Sequence, residues 1–423
     1  MTPCGRWRRH MPSINMTPDP RSGAHPGLGI LPTGHLMSAR LDQPSTDSRA
    51  ATNPIFNDNP FKLGLFCHNA SVIQMSTAPE KYSPTWPRSL EIARLVDTIG
   101  LEVIVSFAGW RGAYPDDPKH CSHREYEPFT WAAAMAAVSK YPAIIGTFHA
   151  QLTHPAFVAK AASTIDHITG GRAGLNVVAG SSRLAFAQFG QTIEDHDTRY
   201  EHSDEFLAVM KKFWSAEEEF DFDGRFMKVR HGISEPKPIQ SPHPAIINAG
   251  VSERGRRFAA RHADIALTHL RGGEDEWREI IAAYKMLAAG EYQRPVQVWT
   301  HGYVVVGDTE AEANDYLSYY AERHADKRWV DAWIAELGEN APTLRPDQLV
   351  HMSRNWAAGG GQSLVGTPGM IVDKMTKLSR AGLNGMLMTA LEPELMLSRM
   401  HTTVVPLMEQ AGLRRPHVMP QVA

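Results

Sequence analysis

Long apolar runs are missing from this sequence. None approaches the ~20 residues that a membrane span needs, and the most apolar candidate, Trp131 to Val138 (WAAAMAAV), has the length of a core helix. Cysteine is scarce as well: Cys4, Cys67 and Cys121 make no disulfide framework and suit a reducing cytoplasm. Neither sign of charge dominates. With 43 basic and 46 acidic residues the net charge is −3, which leaves no electrostatic footprint for nucleic acid. No GxSxG elbow, HExxH pair or Walker A loop occurs, so the hydrolase, zinc-protease and P-loop chemistries lack their signatures.

What is present is enough for a full globular core: 423 residues, 43% of them hydrophobic. Residues 1–58 stand apart, with several arginines, no lysine, many Pro, Ser and Thr, and no periodic apolar pattern. They read as a disordered leader or as an over-long translation start, with Met16 or Met37 the true beginning. A signal peptide is excluded for want of an apolar segment of roughly 7–15 residues. The expected organisation is therefore leader 1–58, one domain 59–415 and a tail 416–423.

From Phe61 onward short apolar runs alternate with helical patterns. Strands are expected at Lys62–Cys67, Leu101–Phe107, Ala143–His149, Ala173–Ala179, around Ala245–Asn248, at Ile265–His269, Val296–Val306 and Gly385–Thr389. Helices are expected between them, for example Arg88–Ile99 stopped by Gly100 and Ala156–Ile168 stopped by Gly170-Gly171. Asp223-Gly224 is a hairpin signal between Phe220–Phe222 and Arg225–Met227. Eight such strands indicate a closed (β/α)8 TIM-type barrel, an α/β fold, with an open doubly wound sheet as the alternative. The stretch from about Asp308 to Gly366 is too long for an ordinary loop and is expected to be an insertion near the mouth, either a lid or a solvated loop.

In such barrels chemistry sits at the carboxyl ends of the strands. Those ends carry His68, Phe107-Ala108-Gly109, Thr147 to His149, Asn176 to Ser181, Ser252 and His269, a set poor in the paired acids or lysine that a glycosidase or enolising aldolase needs. Ser252 sits where a helix begins. It either caps that helix or also seats an anion, with Gly250 allowing close backbone approach. Gly250-x-Ser252-x-x-Gly255 only echoes the dinucleotide fingerprint. Arg199-Tyr200, at another helix start, offers donors to phosphate oxygens or an ordinary surface ion pair. His149 and His269 are pocket acids or bases, or structural histidines. Trp110, Trp131, Trp299 and Trp356 line an aromatic pocket or pack the core. His120-Cys121-x-His123 has ligand-type residues but no fourth, and no metal site is expected.

The segments HPAFVAKAASTIDHITGGRAGLNVVAG (154–180), HDTRYEHSDEFLAVMKKFW (196–214), PKPIQSPHPAIINAGVSERG (236–255) and SLVGTPGMIVDKMTKLSRAGLNGMLM (363–388) resemble the bacterial luciferase-like flavin-dependent monooxygenases. The resemblance runs in order from about Phe61 to about Gly412 and is greatest to the pyrimidine, dimethylsulfone and alkanesulfonate monooxygenase group. It implies a (β/α)8 barrel and a cytoplasmic two-component oxygenase that uses O2 and reduced FMN from a separate NAD(P)H:flavin reductase. The implied substrate is a small nitrogen heterocycle or organosulfur compound, and the implied assembly a homo-oligomer, dimer or tetramer. A deazaflavin-dependent oxidoreductase and a non-catalytic flavin-binding protein are the alternatives on the same fold. By resemblance Ala108 and Gly109 touch the flavin ring, and Thr147 and Asn176 flank it where oxygen is activated. Arg199, Tyr200, Gly250 and Ser252 hold the phosphate end. Ala185 stands where the pyrimidine enzymes carry a glutamate.

Overall fold

The computed structural model describes residues 47–112, 117–180, 182–331 and 346–418. Eight parallel strands close into a ring in the order β1 (Lys62–Phe66), β2 (Val103–Val105), β3 (Ala143–His149), β4 (Ala173–Val178), β7 (Ala245–Asn248), β8 (Ile265–Thr268), β9 (Gln297–Val306) and β11 (Gly385–Thr389), which pairs back to β1. These are the eight strands expected from the apolar runs. Their residues are almost all buried because helices cover the outside and side chains fill the inside, so strands of this kind lack polar alternation. The doubly wound alternative is overturned by the β8–β9 pairing, which closes the ring.

Helices follow most strands and their ends are set locally. Gly100 (φ 73°) and Gly170 (φ 66°) terminate α1 (Trp86–Ile99) and α3 (Pro155–Thr169) in the left-handed region. Between them α2 (Pro128–Val138) follows β2, and α4 (Arg183–Gln188) and α5 (His196–Ser215) follow β4. The hairpin β5 (Phe220–Asp223)–β6 (Lys228–Gly232) forms, but its turn is longer than an Asp-Gly pair dictates. The Glu205 carboxylate on α5 accepts the N–H groups of Arg225 and Phe226 at 2.9 Å and draws those residues out of the ladder. α6 (Glu253–His262) and α7 (Glu274–Tyr292) follow β7 and β8.

β9 is ten residues long and overruns the ring. Its far half pairs with β10 (Gln362–Gly366), a ninth strand not anticipated inside the long insertion. That insertion also contains α8 (Glu310–Ser318), a π-helical turn (Tyr319–Arg323) and α9 (Pro346–Ala357), and its residues 332–345 lie outside the described set. α10 (Pro368–Arg380), α11 (Pro393–Arg399) and α12 (Val405–Gln410) complete the chain. Among the described residues no helix is long and apolar enough to cross a membrane.

The floor of the barrel is sealed by a segment that composition assigns to the leader. Ile55, fully buried, packs among Val103, Val105, Ala143, Ile145, Ala245, Ile247, Ile265, Leu267, Trp299 and Leu387. Arg49 holds this segment through a buried 3.0 Å ion pair to Asp264, just before β8. Residues 47–58 thus pack as part of the barrel, while residues 1–46 lie outside the described set. Of the tryptophans, Trp299 belongs to this floor and Trp131 packs between α1 and α2, its indole N–H on Ser89. Truncating a buried isoleucine leaves a cavity, so Ile55→Ala is expected to cost about 3 kcal/mol. Chemical denaturation measures this, and a loss below about 1 kcal/mol would mean that the floor does not depend on the segment.

Candidate functional site

The alternation of side chains along a strand carries the floor upward into the mouth. Two residues beyond the inward-facing Val105, Ile145, Leu267, Trp299 and Leu387 come Phe107, Thr147, His269, His301 and Thr389. On β4 Asn176 lies directly beside Thr147 in register, and His149 is one step higher on β3. Thr147 Oγ1 donates to the Ser106 carbonyl and accepts from Asn176 Nδ2 at 3.2 Å. With its amide N–H engaged, Asn176 keeps a buried Oδ1 that has no partner. A buried acceptor of this kind asks for an N–H donor from a ligand.

The turn after β2 is held from below. Asn69, fully buried, brackets Phe107, accepting its N–H at 2.7 Å and donating to its carbonyl at 2.8 Å. Glu125 then accepts the N–H groups of Gly109 (2.8 Å) and Trp110 (3.2 Å). Burial pushes the Glu125 carboxyl up to about 7 against the pull of those N–H groups. A Cβ on Gly109 would lie 2.5 Å from the Phe107 ring and 2.8 Å from Glu125 Oε2. The missing side chain there makes room for its own support. Ala108 beside it is buried, and Trp110, at φ 61°, stands edge-on to Phe189.

Ser252 caps α6 as expected: its Oγ accepts the Gly255 N–H at 3.0 Å. The same oxygen lies 3.0 Å from His196 Nε2, the first residue of α5. Two helix N-termini with their positive dipole ends therefore meet at one corner, although at the start of α5 the Asp195 carboxylate already accepts the N–H groups of Asp197 and Thr198. Tyr200 enters this corner too, and burial pushes its hydroxyl pKa up. Gly250 and Gly255 serve a purpose spacing did not suggest. A Cβ on Gly250 would sit 2.6 Å from Gly255 Cα, and one on Gly255 would sit 2.5 Å from the Tyr200 hydroxyl. Strand end, helix start and Tyr200 touch only because both are glycine.

The basic residues behind Ser252 divide into two sets. Arg254 (2.7 Å) and His262 (2.7 Å) are engaged by Asp204, and Arg257 (2.6 Å) by Glu291. Arg256 and Arg199 make no ion pair among the described residues, and each buries an Nε without a partner. Burial lowers the Arg199 pKa and outweighs the opposing pull of the nearby Tyr200, Asp195 and Glu194. The surface ion pair considered for Arg199 is absent from the described residues. Arg256, over the ring of Tyr284, is a residue that spacing alone did not single out. Glu125, Asn69 and His301 were missed as well.

His68 and His149 complete the rim. His68 is fully buried with both ring nitrogens unpartnered, and His149 has a buried, unpartnered Nδ1. Burial lowers each pKa to about 4. The unfolded imidazoles protonate near the ordinary value of about 6.5, before the folded ones. Stability is therefore full above that value and declines as pH falls from 6.5 towards 4, by about 3 kcal/mol per histidine. Denaturation midpoints across this range should show the decline, and His149→Gln should remove only that residue's share of it, leaving that of His68; a pH-independent midpoint would contradict the burial of both rings.

Comparison with known proteins places this geometry. The family model described as luciferase-like monooxygenase matches residues 61–385. The FMNH2-dependent dimethylsulfone monooxygenase of Pseudomonas putida is 28% identical over 337 residues, 77% of this chain and 89% of that protein. The pyrimidine monooxygenase of Variovorax paradoxus (strain S110) is 28% identical over 281 residues, 65% of this chain and 74% of that protein. The crystal structure of a long-chain alkane monooxygenase superposes with a TM-score of 0.71 at 24% identity, covering 84% of this chain and 93% of the other. Eight closed strands and a family match that spans seven of them and reaches the first residue of β11 lead to one conclusion: the chain belongs to the luciferase-like monooxygenase family.

Proposed function

We propose that this chain is the oxygenase component of an FMNH2-dependent two-component monooxygenase. It inserts one oxygen atom from O2 into a small organosulfur or nitrogen-heterocyclic substrate, with reduced FMN supplied by a separate NAD(P)H:flavin reductase. The observation that carries this reading is the corner at Ser252. There two helix starts, the Tyr200 hydroxyl and two arginines without carboxylate partners surround a place fit for a dianion. The relatives named for FMNH2-dependent dimethylsulfone and for pyrimidine oxygenation support the cofactor and the substrate class.

When bound, reduced FMN supplies the electrons that activate O2. The remaining work falls to this chain's residues. Ser252, Tyr200, Arg199 and Arg256 hold the phosphate. The unpartnered Oδ1 of Asn176 accepts a ring N–H, and Thr147, tied to the Ser106 carbonyl, keeps that amide in one orientation. Ala108 and Gly109, fixed through Glu125, pack against the ring. His149, neutral at neutral pH, offers a hydrogen bond to the reacting region and is not a proton reservoir. The sealed floor keeps water from reaching the ring from below. The chain is further proposed to act as a homo-oligomer, a dimer or tetramer, which sedimentation at assay concentration reads directly.

Oxygen uptake with reduced FMN should rise when dimethyl sulfone or uracil is added, with label from 18O2 in the product. Hydride transfer without oxygen consumption would instead identify a deazaflavin oxidoreductase, and tight FMN binding without turnover a carrier. Ser252→Ala and Tyr200→Phe are each expected to weaken FMN binding about tenfold, roughly 1.4 kcal/mol, with the circular dichroism spectrum unchanged. Unaltered affinity in both would remove the phosphate assignment.

A further inference from the structure

Across the mouth from Thr147 lies a second polar station that the flavin corner does not use. In an eight-membered ring, β9 stands opposite β3, so the inward residues of β9 face those of β3. Ile265, Leu267 and Trp299 point into the floor, and His269 and His301 follow them two residues on. Thr268 and Thr300 are register partners, so the two histidines are neighbours on adjacent strands. Their rings stand edge to face with centroids 4.9 Å apart.

Neither ring has a hydrogen-bond partner among the described residues. His262 and His202 by contrast face the carboxylates of Asp204 and Glu194. The turn from α9 into β10 lies against this pair. A Cβ on Gly361 would be 2.9 Å from His301 Nε2, and one on Gly360 would be 3.3 Å from the Trp356 ring and 3.5 Å from that same nitrogen. Gly359, Gly360 and Gly361 all adopt positive φ, so the turn reaches the rim with backbone where side chains would block it. The station is thus a nook walled by the two imidazoles, the glycine turn and Trp356.

We propose that His269 and His301 form the substrate-recognition edge of the mouth. They select an uncharged molecule that offers polar oxygens or a ring N–H, the chemistry shared by a sulfone and a pyrimidine base, over an anionic one. The proposal rests on the flavin reading above and narrows its substrate. A neutral imidazole presents one donor and one acceptor, which together complement a sulfonyl oxygen or the alternating C=O and N–H edge of a heterocycle. Burial and the neighbouring His269 lower the His301 pKa to about 3, and burial followed by Arg271 lowers that of His269, so both stay neutral at neutral pH. The nearby cations are Arg271, exposed beside His269, and Arg354, next to Tyr303. A bare anion in the nook would lose its hydration without gaining a counter-charge from either ring.

The FMN-loaded full chain is titrated calorimetrically with three probes: dimethyl sulfone, uracil, and methanesulfonate, which matches the sulfone in size but carries a charge. At least one neutral probe should bind, and methanesulfonate at least tenfold more weakly; whichever of sulfone and uracil binds tighter identifies the source of the polar group. His301→Phe and His269→Asn should each weaken the neutral probe tenfold or more, with FMN affinity within twofold of the parent. The discrimination by charge is measured on the unaltered chain and does not depend on either variant folding. Equal or tighter binding of methanesulfonate, no binding of either neutral probe, or variants with unchanged probe affinity would overturn the proposal and leave the flavin site standing. Failure of the unaltered chain to bind FMN at all would overturn both.

Discussion

The two-residue repeat of a strand, imposed on a closed ring, is the constraint on which everything else depends. Once Ile145, Leu267 and Trp299 are committed to the floor, Thr147, His269 and His301 have no choice but the mouth. Closure removes the freedom of register that an open sheet keeps at its edges. The polar groups at the rim are then stranded in a low-dielectric setting, where each unpaired one costs about 1–3 kcal/mol. His68, His149 and Asn176 bear that cost, and the apolar floor beneath them offsets it. A rim destabilised in this way is better satisfied with ligands than without.

The phosphate corner is built by close packing more than by charge. Gly250 touches Gly255, Gly255 admits the Tyr200 hydroxyl, and Tyr284 donates to the Gly250 carbonyl at 2.9 Å. These contacts bring the starts of α5 and α6 together, so that Ser252 and His196 share a hydrogen bond. The unpaired arginines, Arg199 on α5 and Arg256 on α6, ride on the two helices that converge there.

Much of this was legible in the sequence. Strands buried on both faces appear as plain apolar runs, and all eight stand out as such. Ser252, Arg199 and Tyr200 sit at helix starts that capping chemistry marks. Other parts were hidden for definite reasons. Residues 47–58 look like leader because one isoleucine and one arginine give no periodicity, and the partner Asp264 is 215 positions away. Glu125 is an ordinary acidic residue until the fold brings Gly109 and Trp110 to it. His301 is hidden because on the other strands the end of the apolar run marks the rim, whereas β9 continues past it and leaves its mouth residue in mid-strand.

That overrun of β9 separates two kinds of change. The insertion joins the barrel through the shared ribbon of β9 and β10 and through the loop after β1, where Ser76 meets Tyr320 and Ala325, while the floor is assembled from the lower halves of the strands and the 47–58 segment. Residues in the insertion can be exchanged, lengthened or shortened with the foundation untouched, yet every such change is felt where Gly361 meets His301. Evolution can therefore retune what enters the mouth without renegotiating the stability of the scaffold, a modularity that suits a family whose members oxygenate unlike compounds.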